Sequence, residues 1–397
     1  MAGLSKRVRE YRLQRMQEFM RAHGYDALAF TGSDWFEWAS NHSISSLAFE
    51  RPFLLIVTGD GRLLAIVCEL DRNPLAAQEK RGELWLDAVA YYAESSDPDK
   101  HTWIASQLRD MVVDTLSNAG LRKGRVGVDG AGDWLTQAVA ELPDLQLRKA
   151  GSALRGLRWI KHSEELATMR RCASLSDWAI DAYREELRPG RLLDEVDYVV
   201  AAKLAGEAAR RIPGENYKIV RLMTLSGVTS ACPGGDGALT GKVLENDTVA
   251  STSMATRLNG LAMELARPWL VGSPSRLAIT LFDCAYAAQK AAIDAAVAGR
   301  PVAGIHAAAQ RVFDDAGYGQ HLRIRSGHGI GVVQHDFPTD LPFESRLLLE
   351  HEAYAVEPGL FFPEVGAFRF ADTIAVGAAA PQHLTQASKD RSALTLH

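Results

Sequence analysis

Apolar residues recur at helical spacing through residues 6–23, where Val8, Tyr11, Met16, Phe19 and Met20 share a face, and Gly24 follows as a residue able to close the helix in the left-handed conformation. Short apolar runs predict strands at 27–30, 53–57 and 63–68, the last two joined by the turn-forming segment Thr58-Gly-Asp-Gly-Arg62. Residues 103–116 read as an amphipathic helix, 125–129 as a buried strand and 134–142 as a further helix. This order predicts an α/β domain in which helices cover a mixed sheet.

The pattern then changes. Long helical periodicities run over 163–187, 194–211 and 275–297, with a shorter one at 305–316, and β-rich segments lie at 248–253, 261–271, 354–362 and 368–376. Helices flanking an antiparallel sheet predict an α+β second domain. The joint is Leu157-Arg-Trp-Ile-Lys-His-Ser163, which divides the chain into 1–156 and 157–397; Ser163 is the expected helix N-cap, with Glu164 and Glu165 suited to the positive helix end.

Composition narrows the class. The 397 residues carry a formal charge of −5 and are 47% hydrophobic, enough for a sizeable core and without the dense basic face of a nucleic-acid binder. No apolar run approaches the roughly 20 residues of a bilayer span, and the first residues lack a signal-peptide core, so no membrane association and a cytoplasmic location are expected. Cys68, Cys172, Cys232 and Cys284 are widely spaced, and buried free thiols are expected.

The chemistry-bearing segments are Ser326-Gly-His-Gly-Ile-Gly-Val-Val-Gln-His335, Ala353-Tyr-Ala-Val-Glu-Pro-Gly359, Gly260-Leu-Ala-Met-Glu-Leu-Ala-Arg267 and Arg369-Phe-Ala-Asp372. His328 stands between glycines that let backbone crowd close. Glu357 and Glu264 are carboxylates in apolar strands, costly there unless paired or used. For Glu264 an ion pair with Arg267 or Arg369 is the structural alternative, and Arg369 with Asp372 reads as a bracing charge pair.

Together these motifs resemble the creatinase/prolidase/aminopeptidase P family. The resemblance implies an α+β protein, with a creatinase-like α/β N-terminal domain followed by a C-terminal "pita-bread" domain whose curved antiparallel sheet is flanked by helices. In metal-dependent members five side chains bind two ions, and the matching positions here are Ser253, Glu264, His328, Glu357 and Ala371. Serine is a poor neutral ligand and alanine is none, so a two-ion centre is not expected. Phe49-Glu-Arg-Pro-Phe53 resembles a creatinase segment that binds the substrate carboxylate across a dimer, which implies a substrate role for Arg51 with Phe49 and a homodimer with a shared site. A family histidine is missing from the loop 226–242, where the matching position is Gly234 or Gly235; Asp236 is a candidate replacement, against a plain Gly-Gly-Asp-Gly turn, and Cys232 a candidate nucleophile.

The resulting expectation is a metal-independent, creatinase-like hydrolase or lyase, without cofactor, acting on a C–N bond of a small carboxylate-bearing compound. His328, His335, Glu357 and Glu264 are its catalytic candidates, and Arg51, Phe49, Arg369 and Asp236 its substrate-binding ones. Two alternatives stand beside it: an Xaa-Pro metallopeptidase with a degenerate single-metal site, and an inactive pita-bread module that binds a peptide or protein.

Overall fold

The computed structural model describes residues 3–44, 48, 50–93, 104–130, 132–234 and 240–397. The chain divides into two compact units, Gly3–Arg158 and Trp159–His397.

In the first unit β1 (Ala27–Phe30), β2 (Leu54–Thr58), β3 (Leu63–Cys68), β4 (Ala88–Tyr92), β5 (Lys123–Val128) and β6 (Asp144–Lys149) form one sheet in the order β4-β3-β2-β1-β5-β6. It is mixed: β2 pairs antiparallel with both β1 and β3, while β3–β4, β1–β5 and β5–β6 are parallel. β1, β2 and β3 are buried throughout, so they read as continuous apolar runs rather than alternating ones. The helix Lys6–His23 ends at Gly24 in the left-handed conformation (φ 65°), and the Ser5 side chain caps its start by accepting from the Arg7 amide. Asp129, after β5, accepts from the Thr31 and Gly32 amides and ties the β1 and β5 exits together.

The second unit contains β7 (Tyr217–Ser226), β8 (Val249–Leu258), β9 (Leu261–Val271), β10 (Gly327–Gly329), β11 (Ala353–Val356), β12 (Gly359–Phe362), β13 (Gly366–Arg369), β14 (Asp372–Ala375), β15 (Gln382–His383) and β16 (Thr395–Leu396). Two four-stranded sheets, β16-β9-β8-β7 and β10-β11-β14-β15, and the pair β12-β13 carry the site. They are stitched by the Ala266–Ala371 bridge and by Thr373, whose Oγ1 accepts from the Glu264 amide (3.1 Å) and donates to the Glu264 carbonyl (2.8 Å). The helix Ser163–Glu186 packs on the outer face of β8 and β9, where Cys172 and Ser176 meet Thr256. Among the described residues, no helix is long and apolar enough to cross a membrane.

Several local expectations are corrected. His162, not Ser163, caps the long helix: its side chain accepts from the Glu164 amide, and the Glu165 carboxylate accepts from the His162 amide, a reciprocal capping box. The segment 354–362 breaks into β11 and β12 at Glu357-Pro358, where proline has no amide to give a ladder. Of the four thiols only Cys68 and Cys172 are buried, Cys232 being exposed and Cys284 half-buried. The helix read at 103–116 is described from Ile104 to Asn118.

Candidate active site

Glu264 on β9, His328 on β10 and Glu357 after β11 converge from three strands. Short contacts between backbones make this possible: a Cβ on Gly327 would collide with the Ala355 carbonyl, and one on Gly329 with the Phe337 carbonyl. His328 is thereby held fully buried on β10, which pairs antiparallel with β11, and the Glu357 amide donates to the Ser326 carbonyl (2.9 Å).

The orientation of the imidazole is fixed by one bond. His328 Nδ1 lies 2.9 Å from the Gly329 carbonyl, which can only accept, so Nδ1 carries the proton. Nε2 then faces two carboxylates, Glu264 Oε2 at 3.2 Å and Glu357 Oε1 at 3.5 Å. Neither Nε2 nor Glu264 Oε2 has a hydrogen-bond partner of proper geometry, although both are buried. A neutral imidazole would place a lone pair against two anions, so the gap calls for a cation, either a proton or a metal ion. Burial by itself would lower the His328 pKa, but the Glu264 and Glu357 carboxylates outweigh it and raise it to about 10. Burial likewise opposes ionisation of Glu357, yet His328 and Arg369 bring it down to about 2.

The His335 ring lies tilted against that of His328, with ring centroids 4.1 Å apart, and the residue is exposed. Arg325 Nη2 donates to its Nδ1 over 3.3 Å, and burial, together with the neighbouring His328 charge, lowers its pKa. Ligand atoms of Glu264, His328 and His335 all lie within 4.8 Å of one another. One carboxylate and two imidazoles suit manganese or zinc in chemistry and number, and the orphaned Nε2 and Oε2 are the atoms such an ion would satisfy.

The other expected residues are distributed differently. Arg369 Nη1 lies 3.5 Å from Glu357 Oε2 rather than pairing with Asp372. Asp372 is wholly buried and saturated: Arg267 Nη2 (2.8 Å) and Thr385 Oγ1 (2.8 Å) donate to Oδ1, and Gln289 Nε2 (2.6 Å) and Lys389 Nζ (2.7 Å) to Oδ2. Arg267 therefore braces Asp372 and is not the partner of Glu264. That partner is Arg221 on β7, unforeseen from the sequence, whose Nη2 reaches Ser253 Oγ (3.0 Å) and Glu264 Oε1 (3.4 Å). The segment 217–226 alternates partly exposed residues without a strong apolar run, so only its pairing with β8 marks it as a strand. Ser253 opposes Ala266, which in turn bridges Ala371, so the two positions lacking a carboxylate stand in one row. Beside them lies a narrow crevice lined by Ser230, Cys232, Ser251, Ser253, Phe361 and Arg369, among others. In the first unit Arg51 forms an ion pair with Glu50 (3.0 Å). Phe49 and Asp236 lie outside the described residues.

Histidine and carboxylate side chains gathered on a sheet are a donor set of the kind that hydrolytic metal centres use. The pattern of metallopeptidase family M24 matches residues 167–378, and that of the creatinase/prolidase N-terminal domain matches 12–170. The chain belongs to metallopeptidase family M24. It is 26% identical over 245 residues to the Xaa-Pro dipeptidase of Pyrococcus furiosus, covering 62% of this chain and 68% of that protein. It is 26% identical over 317 residues to the putative dipeptidase YkvY of Bacillus subtilis, covering 80% and 83% respectively. The solved Xaa-Pro dipeptidase from Bacillus anthracis superposes with a TM-score of 0.79 at 20% identity, over 98% of this chain and all (100%) of that one, a likeness of fold. These findings overturn the expectation of metal-independent, creatinase-like chemistry: the relatives are named as Xaa-Pro dipeptidases of a metallopeptidase family, and three donors converge where no metal was expected.

Proposed function

We propose that this protein is a peptidase that hydrolyses the C–N bond of Xaa-Pro-type dipeptides with a single divalent ion. The carrying observation is the pair of orphaned atoms, His328 Nε2 and Glu264 Oε2, facing each other at 3.2 Å in a buried site. Glu264 and His328 are the fixed part of the ion site, and His335, whose bond to Arg325 is long, is the third donor. When bound, the ion supplies Lewis acidity, polarising a carbonyl and acidifying water. Glu357, ionised at working pH, accepts a hydrogen bond from the attacking water and orients it. Arg369, with its side chain 12% exposed beside Glu357, offers a guanidinium to the carboxylate that every dipeptide carries.

The dipeptide assignment follows the names of the relatives. A homodimer is part of the same reading, with Arg51 presented to the substrate carboxylate in a neighbouring subunit, and so is a cytoplasmic location. The test is hydrolysis of a panel of Xaa-Pro dipeptides by protein stripped with a chelator and resupplied with manganese, zinc or cobalt. Activity that depends on the added ion supports the proposal. Equal activity in stripped and resupplied protein, or none on any dipeptide under either condition, overturns it.

A further inference from the structure

Glu264 faces two different positive partners, one on each oxygen. Oε2 points to the exchangeable position at His328 Nε2, whereas Oε1 lies 3.4 Å from Arg221 Nη2, which also donates to Ser253 Oγ at 3.0 Å. A guanidinium keeps its charge at every pH at which a protein folds, so this second partner is permanent. Arg221 Nε is buried with no hydrogen-bond partner, and the side chain as a whole is 36% exposed, so the group is held by the site rather than by a remote brace. Around it the row Ser253, Ala266, Ala371 supplies no carboxylate. An ion placed beside Oε1 would meet one shared carboxylate oxygen and a fixed like charge.

We infer that Arg221 is a positioning residue that occupies, as a fixed organic cation, the place a second metal ion would need, and so holds the centre to one ion. The inference rests on the single-ion reading given above. It assigns Arg221 two effects: it neutralises the Oε1 side of Glu264, and its repulsion weakens cation binding on the Oε2 side. A lysine at the same place would keep the charge.

Calorimetric titration with manganese and zinc tests this without reference to turnover. Wild type is expected to take up one ion, Arg221→Met to take up one ion roughly tenfold more tightly, because a like charge has gone, and Arg221→Lys to stay close to wild type. In a background with both carboxylates supplied, Ser253→Asp/Ala371→Glu with Arg221 intact should bind one ion, and the same protein with Arg221→Met should bind two. Equal ion counts with and without Arg221 in that background, or an affinity in Arg221→Met no tighter than wild type, would overturn the inference. If circular dichroism finds the engineered background unfolded, the comparison of wild type, Arg221→Met and Arg221→Lys decides alone. A wild type that binds no ion overturns the single-ion reading instead, and the role of Arg221 is then read from the folded engineered pair.

Discussion

His328 Nε2 and Glu264 Oε2 stand 3.2 Å apart, neither with a hydrogen-bond partner of proper geometry, while Nδ1 of the same ring is committed to the Gly329 carbonyl. A lone pair opposite a carboxylate is a repulsive arrangement unless a cation lies between, and the geometry suits a proton there or, in the proposed single-ion reading, a metal ion.

His328→Ala is therefore expected to abolish stoichiometric ion binding and to reduce kcat/KM by roughly 10²- to 10³-fold, the scale of losing one key electrostatic element at a reaction centre. Glu357→Gln should leave the ion count unchanged and lower kcat, since Glu357 acts on water rather than on the ion in this account. Ion counts from elemental analysis beside steady-state rates check both; loss of the ion in Glu357→Gln would reassign that carboxylate to the ion site.

The Arg267–Asp372 pair predicts a different outcome. Both side chains are fully buried, and breaking such a pair by removing one partner typically costs about 3–5 kcal/mol. Asp372→Asn should lower the chemical-denaturation midpoint strongly. Burial would raise the Asp372 pKa, but Arg267 and Lys389 pull it below the ordinary 3.8, to about 2. A depressed carboxylate contributes stability that is present above its unfolded value and lost as pH falls through its folded one. The wild type should thus lose on the order of 2 kcal/mol from this group between pH 3.8 and 2, and Asp372→Asn should lose less over that window. Denaturation curves at stepped pH measure it; an identical acid limb in the two proteins would refute the assignment.

The thiols give a simple structural check. Cys172 is buried, and burial pushes its thiol up to about 12, whereas Cys232 is exposed beside the crevice. Brief treatment with iodoacetamide at pH 8, followed by peptide mass spectrometry, should label Cys232 first and leave Cys172 untouched. Early labelling of Cys172 would contradict its burial.

Arg51 carries the assembly prediction. Arg51→Ala should raise KM sharply, and mixing it with His328→Ala chains should restore part of the activity if each mixed dimer regains one intact site. No rescue despite proven subunit exchange would rule out a shared site.

Much of this was legible in the sequence. Long periodic segments and buried apolar runs marked the helices Lys6–His23, Ser163–Glu186, Leu193–Arg211 and Arg276–Asp294 and the strands β1, β3 and β9, because core burial dominates such stretches, whereas the helices Ser33–Ser40 and Arg72–Lys80 were not legible. Gly-His-Gly and Glu-Pro-Gly marked His328 and Glu357, since close backbone approach and a buried carboxylate leave strong local traces. Partner choice was not legible: Arg267 was a natural partner for Glu264 three residues away, yet successive odd and even positions on β9 face opposite sides, and Arg267 turns to Asp372. Arg221 was invisible for a related reason. It lies 43 residues from Glu264 on a partly exposed strand, and only the β7–β8 register, which sets Arg221 against Ala255, brings it to the site.

The most direct measurement is the metal content of the purified, metal-reconstituted protein, set beside its hydrolysis of an Xaa-Pro dipeptide before and after chelation. One manganese or zinc ion per chain is expected, with hydrolysis that falls away when that ion is removed. Two ions per chain, or no ion with hydrolysis undiminished by the chelator, would contradict that expectation.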